Sequence, residues 1–219
     1  MAEKKNALDN SKLTLSALCP TEKNKYSTLK WEVFRNNPRI VVRTNDTSLT
    51  NQENNWGKIE AAMDAPGFYV FLQFLKDAYE ASSEIKNKIE SYNYEYSSGQ
   101  RSEDIRHIAD TVIGKDKEGC IFIAVVSKKD NWPVIKFVFG PSDNRWLKYC
   151  HGDGTPYTKA EISVIYAKVY YRLLSHIIPQ ILVTEYVEPP PYDAGKRQSG
   201  YKSNYQKQDS DVELTDLPF

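Results

Sequence analysis

The chain has 219 residues, with 29 basic and 29 acidic side chains and a formal net charge of zero. A chain of this length can bury a substantial core. The balanced charge excludes the strongly basic field of proteins that attract nucleic acid over their whole surface. A nucleic-acid site would therefore have to be a local patch.

The cysteines and the apolar runs indicate the compartment. Cys19, Cys120 and Cys150 are odd in number and widely spaced, which favours free thiols in a reducing environment. No apolar run follows the N-terminal lysines, and none reaches the about 18 residues that a membrane span needs. We therefore expect a soluble, cytoplasmic protein without a signal peptide or a membrane partner.

Residues 1–25 are polar and predict a flexible arm. Between residues 26 and 45, apolar residues recur with a period of two on either side of Asn36-Asn37-Pro38, a turn sequence. This pattern predicts a β-hairpin in which Pro38 occupies a place that needs no ladder hydrogen bond. The predicted inward residues are Leu29, Trp31, Val33, Ile40 and Val42.

The same hairpin interleaves basic and aromatic residues, interrupted by one acid, Glu32. Cations neutralise phosphates and aromatic faces stack on bases, so this composition suits a ribbon that binds single-stranded nucleic acid. The alternative is a solvated strand face, with Trp31 in the core. The candidate binding residues here are Lys30, Trp31, Phe34, Arg35, Arg39 and Arg43.

The middle of the chain predicts helix. Residues 58–63 favour a short helical stretch, and Asp64-Ala65-Pro66-Gly67 is a helix-start signal. From Phe68 to Tyr92, apolar residues recur every three or four positions, which predicts an amphipathic helix of about 25 residues.

Four strands are predicted after this helix. Residues 105–113 are ambiguous between strand and helix, whereas residues 120–126 are a continuous apolar run typical of a central strand. Residues 134–139 and 145–150 complete an antiparallel meander. Its turns and outward positions either bind nucleic acid or only keep strand edges soluble; they are Lys128, Lys129, Trp132, Lys136, Arg145, Trp146, Lys148 and Tyr149.

A second helix closes the body. Thr158 and Glu161 have the spacing of a capping box, and Pro179 is expected to end or kink the helix. The segment 180–187 is either a last helical turn or an added strand. The predicted buried stripe of the helix is Ile162, Ile165, Val169, Leu173 and Ile177.

The C-terminal residues are unlike the body. Residues 189–208 have the composition of a flexible linker, and residues 209–219 form an acidic peptide with an apolar end. Asp216-Leu217-Pro218-Phe219 resembles the C-terminal tip of bacterial and phage single-stranded-DNA-binding proteins. The resemblance implies that the tip recruits partner proteins and competes with DNA for the protein's own basic groove; the residues concerned are Asp209, Asp211, Glu213, Asp216, Leu217, Pro218 and Phe219.

No catalytic constellation is apparent. Gly152-Asp153-Gly154 lacks the spacing of a phosphate-binding loop, and Cys150-His151 has no second cysteine pair nearby in sequence to complete a metal site. His107 and His176 lie in apolar-periodic segments and are expected to pack. We therefore predict no enzyme activity, no cofactor and no metal.

Together these features predict an α+β fold: an N-terminal β-hairpin and a four-strand antiparallel meander packed against two long helices. Residues 26–188 would form a single domain that binds single-stranded DNA without sequence preference. The element order does not match the five-strand barrel of a classical OB-fold. Strand edges and the long helix favour a homo-oligomer.

As a whole, the chain is also similar to the Drc-type single-stranded-DNA-binding transcription regulators of podoviruses that package their own RNA polymerase. No short motif carries this likeness. It implies a multimer that coats viral DNA in the infected cell and recruits an RNA polymerase or replication proteins. Two alternatives remain: an interaction adaptor that does not bind DNA, and an enzyme on nucleic acid with an unrecognised site.

Overall fold

A computed structural model describes residue 8 and residues 13–19, 25–44, 57–97, 100–128, 132–141 and 147–188. The N-terminal arm apart from a few residues, the linker and the acidic tip lie outside these residues. The three cysteines are free thiols, with Cys19 and Cys120 buried and Cys150 exposed.

The described chain is α+β and consists of two successive units, each with four strands followed by one helix. In both sheets the strands are antiparallel and lie in sequence order. The first unit contains β1 (Leu15–Leu18), β2 (Tyr26–Phe34), β3 (Asn37–Arg43), β4 (Lys58–Ala62) and α1 (Ala65–Glu80). The second contains β5 (Ile85–Ser97), β6 (Gln100–Lys115), β7 (Ile121–Ser127), β8 (Ile135–Val138) and α2 (Lys159–Thr184).

The predicted hairpin is present as β2 and β3, but it belongs to a four-strand sheet and its turn lies one residue earlier. Arg35 and Asn36 form the turn, with φ of 48° and 65°. Positive φ at both central residues is the geometry of a type I′ turn, whose twist matches that of the flanking strands. Pro38 is consequently part of β3 and lies opposite Val33.

Two predictions in the middle of the chain are wrong. Residues 58–63 are not helical, because Lys58–Ala62 forms β4 and pairs with β3. The predicted 25-residue helix is two elements: α1 ends at Glu80 and β5 begins at Ile85. The helix-start signal itself is confirmed, since the Asp64 carboxylate accepts a hydrogen bond of 2.7 Å from the Gly67 N–H.

The second sheet follows the predicted meander only in part. Residues 105–113 lie within β6, which resolves their ambiguity, and β7 is buried on both faces as predicted. The predicted strand at 145–150 is not found among its described residues, 147–150, where Cys150 makes one isolated bridge to Pro156. The meander is completed instead by β5, which the sequence assigned to helix.

Helix α2 is confirmed, and residues 180–184 continue it, which is the helical alternative left open for this segment. Both halves of the capping box are formed by Thr158 and Glu161, and the helix passes through Pro179 to Thr184. Of the predicted buried stripe, Ile177 does pack against the core, but Ile165, Val169 and Leu173 are exposed and Ile162 is half-buried. The residues that α2 buries are Ser163, Ala167, Tyr170, Leu174, Ile178 and Ile181.

One core holds side chains from both sheets and both helices. Trp31 lies in it, 2% exposed, with its ring edge-to-face against Phe68 at 5.5 Å and Phe71 at 4.8 Å between centroids. The Ser163 hydroxyl accepts from the Ile121 N–H and donates to the Ile121 carbonyl, which joins α2 to β7. Within the described part of the chain, no helix combines the length and apolar character needed to cross a membrane.

Candidate nucleic-acid interface

The outer face of the first sheet holds most of the predicted hairpin residues. Side chains alternate along a strand, so β2 directs Lys30 and Phe34 away from the core while its inward residues pack into it. Arg39 and Arg43 lie on the same outer face of β3, because they pair in register with Glu32 and Thr28 of β2.

Lys30 and Arg43 are exposed and make no ion pair among the described residues. The register puts them on a diagonal across β2 and β3, within roughly 7–8 Å between backbone positions. Arg43 is also directly opposite Lys58 of β4. Like charges placed opposite each other cost stability, so an anion between them would be favourable.

Arg39 differs from these two cations because acids hold it. Its guanidinium makes ion pairs with Glu32 at 2.6 Å and Glu60 at 3.1 Å, and Glu60 is shared with Lys58. Arg39 nevertheless contacts the candidate site, since its guanidinium carbon lies 4.6 Å from the centroid of the Phe34 ring. It therefore fixes the ring rather than offering a free charge.

Phe34 is the most accessible of the predicted aromatic residues on this face. Its side chain is 51% exposed at the end of β2, and Arg35 lies 5.3 Å from the ring centroid. Tyr26, at the other end of the strand, is exposed on the same face and was not predicted. Trp31 is removed from the candidate site, because a ring packed between Phe68 and Phe71 presents no face to a base.

The outer face of the second sheet is also basic, but each of its lysines meets an acid. Lys128 contacts Asp110 at 2.7 Å, and Lys136 contacts Asp116 at 2.9 Å. Burial alone would raise the pKa of Asp116. Hydrogen bonds from Lys136 and from the Cys120 N–H outweigh that effect, so the pKa lies below its usual range.

Phe122, an aromatic residue on this second face, is not accessible. Phe122 is fully buried, and the Lys136 ammonium lies 4.7 Å from the centroid of its ring. Because the side chain is fully buried, the ring presents no face to a base.

The other predicted binding residues are dispersed. Trp132 is half-buried against the core, and Lys148 is exposed. Tyr149 shares a hydrogen bond of 2.9 Å with the Tyr166 hydroxyl; burial and this bond raise the pKa of Tyr166 to about 12. Lys129, Arg145, Trp146 and the tip residues 209–219 lie outside the described residues.

A two-stranded ribbon was missed by the sequence interpretation. Strand β7 pairs with β6 only over Ala109–Lys115, so the parts of β5 and β6 beyond it pair with each other alone. Tyr92 is exposed on this ribbon, and its ring stacks on His107 at 4.7 Å between centroids. Tyrosines at 92, 94 and 96 alternate with polar residues, and this period of two could have predicted a strand here instead of a helix.

At the base of the ribbon, His107 joins two carboxylates. Its Nε2 lies 2.6 Å from Asp110, and potential ligand atoms of Glu90, His107 and Asp110 lie within 4.8 Å of one another. Lys88 and Lys128 already pair with the two carboxylates at 2.7 Å each. These lysines compensate the acidic charge and link the three residues into one polar network.

The β2–β3 turn also contacts the last described residues. The Asn36 side chain donates to the Val187 carbonyl at 2.6 Å and accepts from the Val187 N–H at 2.9 Å. Val187 is therefore fixed at the turn that contains Arg35 and Asn36.

Comparison with protein-family models, with curated proteins and with solved structures finds no match to this chain.

Proposed function

We propose that the chain binds single-stranded DNA without sequence preference on the outer face of the first sheet. The observation that carries the proposal is the accessible Phe34 ring on a face where Lys30 and Arg43 have no acidic partner among the described residues. Lys30 and Arg43 would neutralise phosphates, and bases would stack on Phe34 and Tyr26. Stacking tolerates any base because every base has a π-face.

The dimensions of the face are compatible with an extended strand. Tyr26 and Phe34 are the first and last residues of β2, which makes them roughly 27 Å apart at the usual rise per residue. A single strand lying along β2 would pass Tyr26, Lys30 and Phe34 in turn. Arg35 would add a cation at the turn, where the left-handed backbone exposes its side chain.

The acidic tip is proposed to regulate this face. Val187 contacts Asn36 in the β2–β3 turn, and a random coil as long as residues 189–219 would extend to ~30 Å. The tip would compete with DNA for the cations of the first sheet and, once displaced, recruit a partner. Following the resemblances, that partner is an RNA polymerase or a replication protein in the cytoplasm of a phage-infected bacterium.

The test is binding of the full chain to oligo-dT and to duplex DNA of equal length across a salt series. We expect preference for the single strand and an affinity that falls with salt, by a slope of about 0.7 for each phosphate contacted. Absent binding would favour the adaptor without DNA-binding activity. Salt-independent binding would contradict the proposed role of the cations.

A further inference from the structure

Helix α2 is apolar on two opposite faces. One face is buried in the core and includes Ala167, Leu174 and Ile178. The other carries Ile165, Val169 and Leu173, which are 38%, 48% and 41% exposed, together with the half-buried Ile162. This outer set consists of residues that the sequence pattern assigns to the core.

The outer residues form a continuous stripe rather than a scatter. At 3.6 residues per turn, Ile162, Ile165, Val169 and Leu173 lie within about 80° of one another around the helix axis. A helix that is apolar on both sides is normally buried on both sides. The second cover must therefore come from outside the described fold.

We propose that a second copy of this chain covers the stripe, with the two α2 helices antiparallel about a two-fold axis near Ala167. The stripe is symmetric about that point. Ile162 of one copy would lie opposite Leu173 of the other, and Ile165 opposite Val169. Such self-complementarity is what an isologous dimer requires.

The charges fit the same register. Glu161 and Arg172 lie on one flank of the stripe, and both are exposed. The two-fold axis would place Glu161 of each copy opposite Arg172 of the other. Arg172 makes no ion pair within the described part of the chain, so it is available to the partner.

The test is sedimentation of the full chain without DNA, over concentrations from ~1 to ~100 µM, because an interface built mainly on one helix pair is small. We expect a species of twice 25.2 kDa. Val169→Glu should yield the monomer throughout this range, because two buried carboxylates would face the apolar stripe of the other copy. Arg172→Glu should weaken the dimer, because the introduced carboxylate and Glu161 of the other copy would repel each other. The variant should therefore need a higher protein concentration than the wild type to dimerise.

The matched control is Val70→Glu on the outer face of α1, where the valine is 46% exposed. It adds the same charge to a helix at the same exposure and should leave the dimer unchanged. A monomeric wild type would overturn the proposal and point to the chain's own C-terminal residues as the cover. An oligomer that survives Val169→Glu, or that Val70→Glu dissociates equally, would also overturn it.

Discussion

The outer faces of the two sheets carry similar residues, but their basic side chains have different partners. On the first sheet, Lys30 and Arg43 meet no acid within the described ranges, and the Phe34 ring is half exposed. On the second sheet, Lys128 and Lys136 are held by Asp110 and Asp116. On that face Phe122 is buried beneath Lys136, and the exposed Tyr92 ring stacks on His107.

The difference comes from cross-strand register rather than composition. Arg43 of β3 is opposite Thr28 and Lys58, neither of which can neutralise it. Lys136 instead reaches Asp116, at the end of β6, across β7. A basic and aromatic segment is therefore a candidate for nucleic-acid binding only when its register leaves the charges available.

The largest effect on DNA binding is expected from reversing the free charges of the first sheet. Lys30→Glu with Arg43→Glu removes two phosphate contacts and adds repulsion, so affinity for oligo-dT should fall at least ~100-fold at low salt. The salt slope should decrease by about 1.4. Fluorescence anisotropy measures both quantities, and Lys76→Glu with Lys117→Glu is the control of equal charge change. Equal losses in the two double variants would show only a net-charge effect.

Removing the stacking ring should have a smaller effect. Phe34→Ala is expected to weaken oligo-dT binding by ~5–150-fold, the range for loss of one base–aromatic stack. Tyr69→Ala, which truncates a comparably exposed ring on α1, should leave affinity unchanged. The outcome that contradicts the account is a Phe34→Ala variant that binds like the wild type.

Removing the acidic tip should strengthen binding by a few-fold. A chain ending at Glu188 lacks the tethered competitor that begins at the Asn36–Val187 contact, so more of the first face is available to DNA. The gain should shrink as salt rises, because it is electrostatic. Unchanged affinity at low salt would leave the tip with a recruiting role only.

The second face should affect stability and not DNA binding. Lys136→Met removes the cation beside Asp116, and the free energy of unfolding should fall by about 1–2 kcal/mol with unchanged affinity for oligo-dT. Chemical denaturation measures the first and anisotropy the second. Loss of DNA affinity by a folded Lys136→Met variant would transfer the binding site to this face.

Asp116 also predicts a pH dependence. Its pKa is depressed in the folded protein, so its contribution is present above the unfolded pKa of about 4 and is lost as pH falls through the lower folded value. The wild type should therefore lose more stability than Asp116→Asn between about pH 5 and about pH 3. Parallel pH curves for the two proteins would disprove this assignment.

Local signals in the sequence predicted several elements correctly. The caps at Asp64 and Thr158 depend on side chains within three residues, and the buried strand β7 is evident from its unbroken apolar run. The inward residues of β2 and β3 follow from their period of two. These predictions succeed because each depends on contacts that are close in sequence or on one repeated burial pattern.

Tertiary packing decided the elements that were predicted wrongly. Ile85, Ile89 and Tyr92 continue the helical spacing of α1, although Ile85 and Ile89 lie on one face of β5 and pack on the core. In α2 the small residues Ser163 and Ala167 are on the buried side, because they let the helix approach the second sheet closely. Ser163 also forms hydrogen bonds with the backbone of Ile121. The sequence also contains a stripe of larger apolar residues, Ile165, Val169 and Leu173, but these side chains face outward.

The sequence predicted the kinds of residue in the candidate site, but not which individual residues belong to it. Lys30, Phe34, Arg35 and Arg43 share an accessible face, whereas Trp31 alternates to the core side of the same strand. Which cations remain available depends on the acids opposite them. That information is in the register of strands far apart in sequence.

The most direct test of the central claim is photo-crosslinking of the full chain to an oligo-dT that contains iodinated deoxyuridine, followed by mapping of the modified peptide. The account predicts adducts on β2, at Tyr26 or Phe34, which lie on the accessible face of the first sheet. Adducts confined to the second sheet or to Trp132 and Tyr149 would contradict it.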